Sequence, residues 1–347
     1  MSDPRLRVVH HGSADDGSAI LATLDLTVEV RLPEGSGTSA DLARDARAGL
    51  TAPFKELPPK YFYDELGSSL FEQITELPEY YPTRAERSIL ESQSAAIVAA
   101  ADPQCLIELG SGSASKTRAL LDAMRDAGSL HTYVPVDISE EITRATAEAL
   151  VAEYPGLRVH GVICDFDSHL ERLPAWGQRR MFAFLGGTIG NFDQEGRIAF
   201  LSRIAALLGA ADTLLLGTDL VKERDRLEAA YNDSAGVTSK FNKNVLSVLN
   251  RELGADFDLD RFEHRAFYDD ERELIDIRLR SCAEQTVRVA GLGLDVRFGD
   301  GEEMRTEISC KFTAESLARS YAEAGLEMVQ MWTDGAGEFA LSLARPL

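Results

Sequence analysis

Polar residues that follow three successive apolar segments are the part of the sequence best suited to bind a ligand. The segment ELGSGSASKT, residues 108–117, is a glycine-rich loop after the first apolar run. Asp137 ends a second run, and Asp165 with Phe166 follows a third. In an open parallel sheet the carboxyl ends of the strands meet at one edge, where ligands bind. The spacing therefore predicts one ligand site at that edge.

The loop departs from two nucleotide-binding patterns at the same position. Ser115 replaces a glycine of the phosphate-binding loop G-x-x-x-x-G-K-[ST] and of the dinucleotide pattern G-x-G-x-x-G. The first pattern also needs a magnesium-binding acid after a second strand. Asp219 is the candidate, but a Gly-Thr pair interrupts the apolar run before it. A nicotinamide dinucleotide remains an alternative, because Asp137 could bind its ribose.

S-adenosylmethionine suits the same residues without a phosphate cradle. Gly110 and Gly112 let the backbone approach the amino-acid end of this cofactor. Asp137 is placed to accept hydrogen bonds from the ribose hydroxyls. Asp165 can accept from the adenine amino group while Phe166 packs on the adenine ring. The series of strand-end acids therefore favours S-adenosylmethionine over the dinucleotide.

Alternating strand and helix patterns must position these residues. Short apolar runs alternate with helical stretches from residue 104 to residue 219. This pattern is typical of βαβ units, with helices on both faces of a parallel sheet. After Leu220 the alternation stops, and two helical stretches precede several strand-like runs. We predict an α/β fold: a Rossmann-like class I methyltransferase domain with a doubly wound, mostly parallel sheet, and a second, α+β substrate-binding domain.

The predicted domains are discontinuous along the chain. Their predicted boundaries are 85–221 with 312–347 for the S-adenosylmethionine-binding domain, and 38–84 with 222–311 for the substrate-binding domain. Residues 1–37 stand apart as an N-terminal extension of unassigned role. Within this extension, residues 19–32 alternate apolar and polar side chains, as a half-buried strand does.

One local signal predicts where a long helix begins. Thr83 and Glu86 have the spacing of a capping box, in which each side chain satisfies a backbone N–H at the helix start. We therefore expect a helix that begins at Arg84, with the side chain of Glu86 hydrogen-bonded to the backbone at the N-terminus of that helix.

Composition excludes several classes of protein. The 347 residues carry a net charge of −21 and lack the basic patch that nucleic-acid binding requires. No apolar run reaches the roughly 18–20 residues that span a bilayer. The four cysteines form no C-x-x-C pair, which favours free thiols in a reducing compartment. The six histidines lack the spacing of a metal site. We expect a cytoplasmic, monomeric enzyme without a metal, a membrane or a nucleic-acid partner.

Six ordered blocks of the sequence carry a specific resemblance. They run from about residue 41 to the C-terminus and read LPPKYFYDELGSSLFEQITELPEYYPTR, IELGSGSASKTRALLDAMRDA, FLGGTIGNF, LLLGTDLVK, YNDSAGVTSKFNKNVLSVLNRELGADFDLDRFEH and GEEMRTEISCKF. Together they resemble the histidine-specific, S-adenosylmethionine-dependent methyltransferase family, whose members make hercynine from L-histidine in ergothioneine biosynthesis. Residues 1–37 lie outside the resemblance.

The resemblance implies two sets of site residues. Those expected to bind the cofactor are Tyr63, Gly110, Lys116, Asp137, Asp165 and Phe166. Those expected to bind L-histidine are Tyr80, Gly186, Asn191, Tyr231, Ile277, Glu307 and Ser309. Lys116 is the sole cation of the glycine-rich loop, so pairing with the cofactor carboxylate fits its charge.

The implied roles agree with the chemistry of the side chains. The amide of Asn191 can bridge the carboxylate and the α-amine of the substrate, and Tyr231 can donate to that carboxylate. These two residues are the predicted catalytic pair. Tyr80 is expected at the edge of the imidazole ring. Glu307 and Ser309 are two apart on a strand, so both face one side and suit the two imidazole nitrogens.

One residue departs from the family pattern. Ile277 stands where the family often has a methionine that lines the imidazole pocket. This difference keeps another amino acid or small amine open as the substrate, and a non-catalytic cofactor-binding protein remains a further alternative. No strong base is evident beside the expected amine, so we expect its proton to pass to water.

Overall fold

The computed structural model describes residues 8–10, 26–30, 38–165, 170, 173 and 177–347. The helices within these ranges are Thr38–Thr51 (α1), Glu65–Glu76 (α2), Pro82–Ala101 (α3), Arg118–Asp126 (α4), Glu140–Glu153 (α5), Gln194–Leu207 (α6), Arg224–Tyr231 (α7), Val237–Leu253 (α8) and Ala314–Glu323 (α9). The strands are Val8–His10 (β1), Leu26–Val30 (β2), Cys105–Leu109 (β3), Thr132–Asp137 (β4), Arg158–Ile163 (β5), Arg180–Phe184 (β6), Thr213–Asp219 (β7), Phe262–Asp269 (β8), Leu274–Ser281 (β9), Gln285–Val289 (β10), Leu294–Phe298 (β11), Glu303–Cys310 (β12), Leu326–Thr333 (β13) and Phe339–Pro346 (β14). None of the helices described is both long and apolar enough to cross a membrane.

A nine-stranded sheet forms the centre of the cofactor-binding half. Its strand order is β1-β2-β5-β4-β3-β6-β7-β14-β13. The strands from β1 to β7 pair in parallel, whereas β14 is antiparallel to both β7 and β13. The predicted doubly wound, mostly parallel sheet is therefore confirmed. Its order reverses at β3, which places the loop after that strand at the switch point where ligands bind.

Helices cover both faces of this sheet. Ile89 of α3, Leu120 of α4 and Leu150 of α5 belong to the apolar cluster on one face. Phe200 of α6 and Leu317 of α9 belong to the cluster on the other. Because both faces are covered, strands such as β3, with the sequence CLIEL, are buried at every position. This explains why the strands read as continuous apolar runs.

A second apolar core is built from the remaining elements. The antiparallel sheet β12-β9-β8 and the hairpin β10-β11 pack with α1, α2, α7 and α8. Leu42, Leu70, Leu249, Ile275 and Met304 are among its buried members. Leu274 and Cys310, which fall in the predicted substrate-binding segment, pack instead with a cluster of the central sheet. The domain boundaries stay a prediction.

The N-terminal extension contributes to the central sheet. β2 pairs in parallel with β5, with Val28 opposite Gly161, and β1 pairs with the outer side of β2. A strand over residues 26–30 is therefore confirmed, with Leu26 and Val28 buried. Glu29 is buried as well, so the predicted half-buried alternation does not hold throughout this strand. The remainder of the 19–32 pattern lies outside the described residues.

The predicted capping box is wrong. α3 begins at Pro82, and Tyr81 at its N-cap makes no side-chain cap. Proline is favoured in the first helical turn because its missing N–H would have no helical partner there. The side chain of Glu86 is instead fully buried and points towards the glycine-rich loop, where it contacts Lys116.

The pairing of β2 can be tested by shortening one buried side chain. Val28 is 1% exposed, so Val28→Ala should lower the free energy of unfolding by roughly 1–2.5 kcal/mol. Urea denaturation measures the change. Thr27→Ala, a half-buried neighbour on the opposite face, is the matched control and should cost about 0.5 kcal/mol or less. Equal effects of the two substitutions would contradict the observed pairing.

Candidate active site

The glycine-rich loop is held against the neighbouring strand by its backbone. Gly110 turns the chain after β3 with φ of 71°, a conformation that favours glycine. Its N–H donates to the carbonyl of Val136 at 2.8 Å. Asp137 accepts from the N–H groups of Gly112 at 2.9 Å and Ser139 at 3.0 Å, one on each carboxylate oxygen. Each oxygen retains a lone pair, so the carboxylate can still accept ribose hydroxyls.

Lys116 has a protein partner that the sequence did not indicate. Its ammonium contacts one carboxylate oxygen of Glu86, and the other oxygen accepts from the N–H of Gly186 at 2.7 Å. An ammonium has three donors, so Lys116 can bind a cofactor carboxylate while it stays paired. Glu86 thus ties α3, the loop and the end of β6 together at the place expected for the methionyl group.

The adenine end of the expected cofactor site also involves an unexpected lysine. Asp165 follows β5, and one of its carboxylate oxygens lies 3.8 Å from the ammonium of Lys60. Lys60 is also 3.1 Å from Asp45, so it connects the substrate-binding elements to the end of β5. Phe166, the expected adenine contact, lies outside the described residues.

Two of the tyrosines implied by the resemblance pack against other aromatic rings. Tyr63 is 43% exposed, yet its ring is fixed by edge contacts with Phe71 and Phe241 at 5.6 Å and 5.5 Å between ring centroids. Tyr80 is buried, and its ring meets that of Tyr231 edge-on at 6.1 Å. Aromatic pairs in this geometry are held in place by their quadrupoles. Aromatic neighbours therefore hold both tyrosine rings in place.

A short turn brings Asn191 against β12. The turn spans Thr188–Asn191, and an added Cβ at Gly190 would lie 2.9 Å from the carbonyl oxygen of Cys310. Only glycine permits this close approach of turn and strand. The side chain of Asn191 consequently lies close enough to Glu307 to lower the pKa of that carboxyl.

Glu307 is a desolvated carboxylate with few partners. It lies opposite Ile277 in the β12–β9 register, and Ile277 is only 2% exposed. Desolvation raises the pKa of Glu307 to about 7, against the lowering effects of the Lys311 charge and the Asn191 hydrogen bond. Such a carboxylate is favourably placed for a ligand that donates a proton to it. Ile277 is a buried core residue beside it, and its expected place in the wall of an imidazole pocket stays a prediction.

Ser309 and Tyr231 face each other beside Glu307. The Ser309 Oγ and Tyr231 Oη atoms lie 2.8 Å apart. The carbonyl of Tyr231 accepts from His264 Nε2 at 2.9 Å, and His264 Nδ1 lies 2.8 Å from the amide nitrogen of Asn242. Burial lowers the pKa of His264, which keeps the ring neutral and able to accept from Asn242. This chain fixes the end of α7 and with it the phenol.

A buried lysine completes the site. Lys311 directly follows β12, is fully buried and contacts Ser309, Tyr231 and Asp219. The sequence pattern offers Asp219 only as a magnesium ligand, and the Gly-Thr pair before it argues against that role. Lys311 was not singled out, although its spacing of two from Ser309 places both on one side of an extended chain. Lys311, itself paired with Asp219, thus holds the hydroxyls of Ser309 and Tyr231 in place.

The structure places most of the predicted cofactor residues after three neighbouring strands. Gly110 and Lys116 lie in the loop after β3, Asp137 ends β4 and Asp165 follows β5, while Tyr63 precedes α2 and Phe166 lies outside the described residues. The substrate candidates lie on β12, β9, α7, the turn after β6 and the segment before α3 that carries Tyr80. A parallel sheet with a glycine-rich first loop and acids after the next two strands defines a class I S-adenosylmethionine-dependent methyltransferase.

Comparison with known proteins identifies the family. The model of the histidine-specific, S-adenosylmethionine-dependent methyltransferases matches residues 42–346, so the chain belongs to that family. A histidine N-alpha-methyltransferase of Mycolicibacterium smegmatis is 55% identical over 303 residues, covering 87% of this chain and 94% of that protein. The histidine N-alpha-methyltransferase of Mycobacterium tuberculosis is 50% identical over 319 residues, covering 92% and 99%. Ergothioneine biosynthesis protein 1 of Neurospora crassa is 32% identical over 309 residues, covering 83% of this chain and 33% of that protein.

The desolvated Glu307 predicts a pH-dependent stability. Its pKa is about 7 in the folded protein and about 4.3 in an unfolded chain, so the folded state binds the extra proton between these values. Stability from this group is complete below about pH 4.3 and is lost as the pH rises through 7. Glu307→Gln should therefore gain stability relative to the wild type, by up to about 3 kcal/mol, between pH 4.5 and pH 8.

Urea denaturation of the ligand-free proteins at pH 5 and pH 8 measures this difference. Burial also raises the pKa of Glu108 to about 7, but Glu108 is present in both proteins and its effect cancels. A stability difference that stays constant between the two pH values would contradict the desolvation of Glu307.

Proposed function

We propose that this protein transfers three methyl groups from S-adenosylmethionine to the α-amino group of L-histidine. The product is hercynine, and the reaction is the first step of ergothioneine biosynthesis. The observation that carries the proposal is the pair formed by Glu307 and Ser309, which adjoin Asn191 at the cofactor edge of the sheet. The names of the mycobacterial and fungal relatives point to the same reaction.

The Glu307–Ser309 pair suits a neutral imidazole ring. Such a ring carries one N–H donor and one nitrogen acceptor. Glu307 can accept from the donor, and the hydroxyl of Ser309 can donate to the acceptor. A desolvated carboxylate left without a donor is costly, so a site of this kind can reject rings without nitrogen by about 10⁴-fold. Ile277 limits the width of the pocket beside Glu307.

Asn191 orients the reacting amine in this proposal. In this arrangement the amide nitrogen of Asn191 donates to Glu307, which it approaches, and its carbonyl oxygen accepts a hydrogen bond from the α-amine. The amine lone pair then points away from Asn191 and towards the cofactor edge. Tyr80 encloses the ring, and Gly186 leaves space where the nitrogen acquires methyl groups. Positioning of this kind can lower a barrier by about 7–11 kcal/mol.

The cofactor, when bound, supplies an electrophilic methyl group: the nitrogen lone pair forms the new C–N bond, the C–S bond breaks, and its electron pair stays on a neutral sulfur. The nitrogen must lose one proton before each of the three transfers. Asn191 cannot act as a base, and Glu307 faces the ring, so we assign these protons to water. Desolvation of the ammonium in the cleft lowers its pKa and assists this loss.

Other features of the sequence-based account stay predictions. These are the cytoplasmic location, the monomeric state and the individual roles of the site residues. The identity of the substrate has one specific alternative, another amino acid or small amine. It stays open because Ile277, beside Glu307, stands where the family often has a methionine. A larger side chain in place of imidazole would have to be accommodated at that wall.

Two substitutions separate the proposed substrate and cofactor sites. Glu307→Ala should lower kcat/KM for L-histidine by at least about 100-fold, because a ring N–H loses its acceptor. The same variant should bind S-adenosylhomocysteine with an unchanged Kd.

Asp137→Ala should weaken S-adenosylhomocysteine binding by about 10–100-fold, since it removes charge-assisted hydrogen bonds. Steady-state kinetics with product detection by mass spectrometry, and calorimetric titration, measure these quantities. Equal losses of both functions in Glu307→Ala would contradict its assigned role.

A further inference from the structure

Three polar side chains at the back of the proposed histidine pocket form a closed triangle. The ammonium of Lys311 lies 2.8 Å from Ser309 Oγ and 2.9 Å from Tyr231 Oη. The two hydroxyl oxygens are themselves 2.8 Å apart. Each side of the triangle is thus a hydrogen bond, and the directions of these bonds decide what the wall presents to a ligand.

The protons of Lys311 are all committed. An ammonium has three donors and no acceptor. Two of the donors go to Ser309 and Tyr231, and the third goes to Asp219 Oδ2 at 2.8 Å. The Lys311 side chain is 0% exposed, so water does not compete for these protons. Both hydroxyls must therefore accept from Lys311.

The remaining hydroxyl protons can then be counted. Ser309 and Tyr231 carry one proton each, and their mutual hydrogen bond uses one of the two. Burial, together with the negative charge of Asp219, raises the pKa of Tyr231 and keeps it a phenol. One proton is left for the ligand. Tyr231 and Ser309 consequently cannot both donate to the substrate while the triangle is intact.

We propose that Lys311 is a specificity-determining positioning residue that makes Ser309 an obligatory hydrogen-bond donor to the substrate ring. In this arrangement, which rests on the proposed function, Tyr231 donates to Ser309 and Ser309 donates to a ring nitrogen. Ser309 is the outward donor because it shares a strand face with Glu307, whose carboxylate binds the ring N–H. Tyr231 then acts through Ser309, and this arrangement replaces the donation from Tyr231 to the substrate carboxylate that the resemblance implies.

The consequence is a site with one fixed donor beside one fixed acceptor. Without Lys311, the hydroxyl of Ser309 could turn towards Tyr231 or Asp219 and present a lone pair to the ring. The preference for a ring with an acceptor nitrogen would then fall. Discrimination between ligands, more than the methyl transfer itself, is therefore what Lys311 controls.

The test measures how substitutions at two lysines change the dissociation constants of two ligands. L-histidine is compared with β-(2-thienyl)-L-alanine, whose ring has a similar shape but no nitrogen, by calorimetric titration in the presence of S-adenosylhomocysteine. Lys311→Met should reduce the ratio of the two dissociation constants by at least about tenfold. Lys222→Met is the matched control: Lys222 also donates to Asp219, at 2.5 Å, but its other acceptors are Tyr81 and the carbonyl of Leu220. The control should leave the ratio within about twofold.

A double-mutant cycle shows whether Lys311 acts through Ser309. If it does, Lys311→Met should add little to the loss of preference already caused by Ser309→Ala. Lys311→Gln, which keeps N–H donors without the charge, should restore part of the preference. Binding of S-adenosylhomocysteine by each variant establishes that it is folded. KM for histidine should rise more than kcat falls.

Two results would overturn the role of Lys311. One is an unchanged ligand ratio in a Lys311→Met variant that binds S-adenosylhomocysteine normally. The other is full additivity of Lys311→Met and Ser309→Ala, which would indicate a general structural contribution. Failure of the proposed function would be seen separately, because the wild-type enzyme would then not methylate histidine.

Discussion

The buried carboxylate of Asp219 is the interaction on which the rest of the site depends. It ends β7 and accepts from the phenol of Tyr81 at 2.9 Å, from Lys222 at 2.5 Å and from Lys311 at 2.8 Å. Its own backbone carbonyl accepts from the N–H of Phe312 at 2.9 Å. Burial raises the pKa of Asp219, but the two ammonium groups outweigh that effect and hold it below its usual value. A buried ion is tolerated only when it is paired in this way.

This hub connects the two cores at the point where ligands must meet. Through Lys311 and Phe312 it holds the end of β12 against the end of β7, and through Tyr81 it holds the start of α3. A second buried pair, between Glu86 and Lys116, holds the other side of the same edge. The strand β12 and the glycine-rich loop are therefore set in place by charge pairs between residues far apart in the sequence.

Much of this architecture could be predicted from sequence because it depends on local pattern. The continuous apolar runs predict the parallel sheet, and the residues that follow them place Gly110, Asp137 and Asp165 at the ends of strands. The resemblance supplied Glu307 and Ser309, which the alternation of a strand alone would have left as ordinary surface residues. The location of Phe166 lies outside the described residues, so its expected adenine contact stays a prediction.

The partners of buried charges could not be predicted in the same way. Glu86 has the spacing of a capping box, but α3 begins at Pro82, which has no N–H that needs a cap. The carboxylate of Glu86 accepts instead from the N–H of Gly186, 100 residues away. Lys311 and Lys60 bind groups that are brought near only by the tertiary fold. The pairing of residues 26–30 with β5 likewise depends on which sheet edge is open. Contacts between residues far apart in the chain leave no periodic pattern in the sequence from which they could be predicted.

Substrate identity is the central claim, and one competition experiment tests it most directly. The purified protein is incubated with S-adenosylmethionine and an equimolar mixture of the common amino acids, and the products are followed by mass spectrometry. The account predicts that histidine alone is consumed and that a trimethylated product accumulates. Methylation of a different amino acid, with histidine untouched, would contradict the pairing of imidazole with Glu307 and Ser309 while leaving the fold and the cofactor site in place.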